Sequence, residues 1–186
     1  MDVDQLKLKT PATAARYRVR LSAGRRPARL RSVSLALSNA DAPEAPPAFS
    51  TGPWVRDLGL TPRSQRDAQE KYRHDICSPT TLAMVLEFWG FKEETEAVAL
   101  AVQDRSSQLF GNWSANTAYA ASKNLDARVA RLSSLADIER EVAEGRPVAV
   151  SVTFSEGELP GAASDGRCAG SRSIVTAMSF GEARLP

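Results

Sequence analysis

Histidine occurs once in this chain, at position 74, and cysteine only twice, at 77 and 168. No metal-ligand spacing can be assembled from so few such side chains, and two widely separated cysteines do not make a disulfide framework. Long apolar runs are missing as well. No stretch approaches the about 18 residues that a membrane span requires, and the opening MDVDQLKLKT has no apolar core for a secretory signal. Neither sign of charge dominates, the formal net charge being +2. The positive excess sits early: residues 1–40 hold nine basic side chains, two lysines and seven arginines, against Asp2 and Asp4. In RYRVRL the arginines alternate with apolar residues, which is the pattern of a solvated strand face, so nucleic-acid binding is not implied. There is no glycine loop to cradle phosphate and no Gly-x-Ser-x-Gly elbow, and no cofactor is implied.

What is present suits one domain with a fragment of another: 186 residues, 42% hydrophobic and 25% charged. Tyr17, Val19 and Leu21 alternate with Arg18 and Arg20, and Val33, Leu35 and Leu37 repeat the period. With SAGRRPAR between them as a turn, the two runs predict a β-hairpin, read as a fragment of a β-sandwich. NADAPEAPPAFSTGP then reads as an extended linker. The expected division is a β fragment over 1–40, a Pro/Ala-rich linker over 41–53, a main domain over 54–162 and a divergent tail over 163–186. Within the main domain a helix is predicted just after Cys77, with Ser78 as N-cap, Pro79 at the first helical position, an apolar face of Leu82, Val85, Leu86 and Trp89, and Gly90 as the stop. Further helices are predicted over about 93–103, from near Asn116, and in SLADIEREVAEG, followed by a strand in RPVAVSVTF. The tail shows no clear amphipathic period except in a short run, SIVTAM. Helices first and strands afterwards indicate an α+β fold.

A thiol is a useful nucleophile as thiolate, and a helix N-terminus favours the anion through unpaired N–H groups and the positive end of the dipole. Cys77 stands at such a position; against that, a free cysteine more often simply packs. ICSPTTLAMVLEFWG resembles the cysteine-bearing helix of bacterial papain-fold peptidases related to the double-glycine leader peptidases, the peptidase C39-like group. The likeness continues through FGNWSANTAYAAS and GRPVAVSVTFSEGELPGA and covers about residues 54–162. LKLKTPATAARYRVRLSA resembles a β-domain that precedes the peptidase domain in some members. The resemblance implies an incomplete papain-like cysteine peptidase domain acting on a peptide or protein substrate through an acyl-thioester, with Cys77 as nucleophile. It also implies a glutamine upstream that donates to the oxyanion, with Gln65 the first candidate and Gln69 the second.

The family pattern further implies a histidine general base on a late strand and an Asp or Asn that orients it. Here the chain departs from it: after GELPGA it reads ASDGRCAGSRSIVTAMSFGEARLP, with no histidine beyond His74. His74 lies three residues before Cys77 and lacks an orienting partner, so it reads as an exposed loop residue. The expectation is a truncated or frame-shifted product, inactive as written, with Cys168 incidental. Relatives of this architecture are typically exported, but no export signal occurs here. The alternatives are a non-catalytic module that binds peptide or cell-wall material, and a degenerate product. Asn112, Trp113 and Asn116 are expected to form a turn and helix cap, with Trp113 also a candidate for lining a cleft. Glu93, Glu94 and Glu96 are expected to form a solvated helix start.

Overall fold

The computed structural model describes residues 8–10, 12–21, 30, 33, 35, 37, 56–132, 134–151 and 176–182. Its elements follow in order: a 3-10 turn at Gln65–Asp67, helices α1 (Cys77–Phe88), α2 (Thr95–Val102) and α3 (Trp113–Ser122), strand β1 (Leu125–Arg131), helix α4 (Leu135–Ala143), and strands β2 (Val148–Val150) and β3 (Thr176–Glu182). The mixed α and β composition agrees with the α+β expectation.

Helix α1 is built around a stripe spaced to fall on one face. Leu82 and Leu86 are wholly buried, and Ala83 and Val85 are buried beside them. It ends as the glycine foretold: Gly90 has φ +87, its N–H donates to the Glu87 carbonyl at 2.9 Å, and the Phe91 N–H donates to the Leu86 carbonyl at 2.9 Å. This is a Schellman ending, with Phe91 folded back onto the core. Its start differs from the sequence expectation. Cys77 itself is the first helical residue and Ile76 the N-cap, without a side-chain cap bond. Ser78 lies inside the helix, where its hydroxyl accepts from Asn116 of α3. Helix α3 also begins earlier than expected, at Trp113. Asn112 is its cap, with Oδ1 accepting from the Ser114 N–H at 3.0 Å, while Asn116 is interior and buried. Helix α4 has the foreseen ends: Asp137 Oδ2 accepts from the Ser134 N–H at 3.2 Å, and Gly145 turns the chain at φ +82.

The sheet is antiparallel with the order β1-β3-β2. Met178 of β3 lies opposite Val129 of β1 on one side and Ala149 of β2 on the other. The central strand therefore comes from the segment in which only SIVTAM had suggested structure. Helix α3 packs on β1 and β3, α1 packs on α2 and α3, and α4 lies against β2. One core joins them, from Leu82 and Leu86 through Val98 and Ala120 to Met178 and Phe180. A smaller cluster of Ile76, Ala99 and Phe110, with Ala68 and Tyr72 against it, seals the N-terminal end of α1.

Residues 12–21 carry no strand, and Tyr17, Val19 and Leu21 are exposed. Val33, Leu35 and Leu37 are exposed too. An alternating pattern defines a face to bury, but it needs a second surface, and none of the described strands offers one. The linker over 41–53, the GELPGA block and Cys168 lie outside the described residues.

Candidate active site

Cys77 is exposed at the first residue of α1. The turn that carries it is anchored from below. Ile76 is wholly buried, and its carbonyl accepts both the Thr80 N–H at 2.9 Å and the Thr80 hydroxyl at 2.7 Å. Thr81 Oγ1 donates to the Cys77 carbonyl at 3.0 Å. Intrahelical geometry offers no carbonyl to the N–H of Cys77 or Ser78, and Pro79 has no N–H to satisfy. The cysteine thus stands at a helix start that has donors to give and, among the described residues, no side-chain oxygen capping it.

From α3, Asn116 Nδ2 donates to Ser78 Oγ at 2.5 Å. Asn116 has no solvent exposure, and its Oδ1 is buried without a partner among the described residues. Leaving one such atom unsatisfied costs about 1–3 kcal/mol.

Gln65 opens the 3-10 turn, with Ser64 Oγ accepting from the Arg66 N–H at 3.1 Å. The segment is strung along α1. Two residues earlier, the Arg63 N–H reaches Met84 Sδ at 3.3 Å, and its guanidinium reaches Glu87 Oε2 at 2.6 Å and the Glu93 carbonyl at 2.7 Å. Three residues later, Ala68 packs in the Ile76 cluster. Gln65 thus falls in sequence between a residue bound to mid-α1 and one packed in the cluster that contains Ile76. Its Oε1 is buried with no partner among the described residues, and no hydrogen bond among them joins it to Cys77. Gln69 is committed elsewhere: its N–H and Nε2 donate to the two Glu96 oxygens at 2.8 and 2.7 Å.

The remaining expectations resolve differently from one another. His74 and Asp75 are exposed in the turn before α1. Trp113 is partly buried against the core. Of the three glutamates only Glu94 is exposed. Glu96 holds Gln69, and Glu93 accepts from Tyr119 Oη at 2.5 Å and pairs with Lys123 at 2.7 Å. Burial alone would raise the Glu93 carboxyl; hydrogen bonds from Lys123 and Tyr119 outweigh it and hold the group below the ordinary carboxylate value. Sequence reasoning missed that role and the Asn116–Ser78 bond, because neither follows from local spacing. A polar residue amid the alanines of NTAYAAS was the one available signal for Asn116.

An exposed cysteine at an uncapped helix start, in an α+β frame, is an arrangement suited to thiol nucleophilic chemistry. The chain belongs to the Peptidase_C39 like family, whose model matches residues 58–174, a span that takes in the 3-10 turn, α1 and the strands β1 and β2. On that ground it is cysteine peptidase-like. No curated protein and no solved structure matches it.

Proposed function

We propose that the chain is a papain-like cysteine peptidase module in which Cys77 is the nucleophile. Its thiolate attacks a carbonyl of a peptide or protein, the bond to the leaving group breaks, and the acyl group remains on sulfur as a thioester. Gln65 and the Cys77 N–H donate to the oxyanion, a contribution of about 3 kcal/mol for a well-placed donor. The observation that carries this reading is the exposure of Cys77 at the first residue of a helix whose N-cap, Ile76, provides no side-chain oxygen. Donors left free there meet whatever anion forms beside them.

Amide hydrolysis also needs a proton for the departing amine and a base for the attacking water. The only imidazole in these 186 residues is His74, exposed and just ahead of Cys77. Any better-placed imidazole must come from outside them. We therefore read the chain by itself as competent to form a covalent bond through Cys77 but severely impaired in turning peptides over. The same single histidine favours a second reading, a non-catalytic module that retains a cleft for peptide or cell-wall material.

A peptidyl chloromethyl ketone separates the two. Expected is labelling of Cys77 that saturates with probe concentration and is absent in Cys77→Ser. Saturable peptide binding that Cys77→Ser leaves intact, together with labelling no faster than that of the unfolded chain, would replace the peptidase reading with the binding module.

A further inference from the structure

The polar contact between buried Asn116 and the first turn of α1 is used by neither the nucleophile nor the oxyanion donors. Asn116 is wholly enclosed, reaches Ser78 across 38 positions of sequence, and keeps one amide atom unpaired among the described residues. Turning the amide over only exchanges which atom meets the Ser78 hydroxyl and leaves the other without a partner. An apolar side chain of similar volume would fill the space with no orphan, so a polar one at this place calls for an explanation beyond packing.

Ser78 supplies that explanation. Serine is a preferred helix cap, yet here it sits inside the helix with its hydroxyl bound to Asn116, and the helix starts a residue before it without a cap. A first turn without a cap frays unless tertiary contacts hold it. Burial of Ile76 and Pro79 holds its underside. Asn116 is the hydrogen-bonding partner that another element contributes to the residue next to Cys77.

We propose that Asn116 is a positioning residue for Cys77: acting through Ser78, it fixes the first turn of α1 onto α3, so that the N–H groups beside the thiol stay both ordered and uncapped. The inference rests on the reading of Cys77 as nucleophile.

The test is alkylation of the full chain by iodoacetamide, followed by mass spectrometry on the Cys77 peptide and expressed as the ratio of rates at about pH 6 and about pH 9. Ser78→Ala keeps a good helix former, and it and Asn116→Leu should each lower the ratio about three- to fivefold, the size of a helix-terminus effect. The double variant should fall no further, and Ser78→Thr, which restores a hydroxyl, should recover the wild-type ratio. Melting is followed in parallel, because a merely structural bond would lower the melting temperature and leave the ratio alone. Folded Ser78→Ala and Asn116→Leu proteins with the wild-type ratio would overturn the inference while leaving Cys77 as nucleophile. A wild-type ratio equal to that of the denaturant-unfolded chain would overturn the nucleophile reading and this inference with it.

Discussion

Replacing Arg63 by methionine removes the staple that ties the Gln65 segment to α1 while keeping most of the apolar stem. The guanidinium contacts Glu87 Oε2 through Nε at 3.1 Å and NH2 at 2.6 Å, the Glu93 carbonyl at 2.7 Å and Thr95 Oγ1 at 3.3 Å. Its side chain is 20% exposed and that of Glu87 24%. Partial solvent access screens the ion pair, so it is credited with about 1 kcal/mol, below the value for a buried pair. The charge-assisted bond to the Glu93 carbonyl adds about 1–1.5 kcal/mol. The sum, about 2–2.5 kcal/mol, should appear in urea unfolding followed by circular dichroism as a lower midpoint at unchanged slope. Glu87→Gln should cost less, and its effect should shrink by about 1 kcal/mol when Arg63 is already methionine. A loss below about 0.5 kcal/mol for Arg63→Met would refute the staple, and a non-cooperative transition in the parent chain would favour the degenerate product over a folded module.

Gly90→Ala should destabilise by about 1–2 kcal/mol through its positive φ alone, since nothing lies within 4 Å of the added methyl; thermal melting measures it. Met178→Ala should cost about 2–5 kcal/mol, because Met178 is 1% exposed at the centre of the sheet; a loss under about 1 kcal/mol would mean that β3 does not hold the middle of the sheet. Asp104 accepts hydrogen bonds from Ser106 and Ser107 that pull its carboxyl from 3.8 to about 2. A depressed carboxyl stabilises the fold above its ordinary value, and that contribution is lost as the pH falls through the lowered one. Carboxyl NMR should therefore show Asp104 still ionised at about pH 3, and Asp104→Asn should flatten the acid limb of the stability curve.

Legibility in the sequence followed the range of the interactions. The ends of α1 and α4 could be read from Gly90, Ser134 and Gly145, because a cap is chemistry within a few residues. The start of α1 could not: it opens at Cys77, after an Ile76 buried by tertiary packing, and Ser78 inside it meets a residue on another helix. Strand β1 went unrecognised although Leu125, Ala127 and Val129 alternate with charges. Alanine weakens a period-two signal, and the strand follows α3 after a single turn in which Asn124 takes φ 68. The glycine and serine of TAMSFGE hid β3 in the same way, although its neighbours on both sides determine its place. The exposure of His74 and the place of Cys77 at a helix start followed the sequence reading, whereas the roles of Glu93 and Asn116 needed the tertiary fold.

In the reading proposed above, Cys77 forms an acyl-thioester whose release lacks a base. A p-nitrophenyl ester of a short peptide is the direct probe, because nitrophenolate departs without needing a proton. Mixed with the full chain and followed by absorbance and intact mass, it should release about one equivalent of nitrophenolate and leave one persistent acyl group, mapped to Cys77 and absent in Cys77→Ser. No adduct on Cys77 while the chain remains folded, or steady turnover of the ester with no acyl group accumulating, would contradict the account.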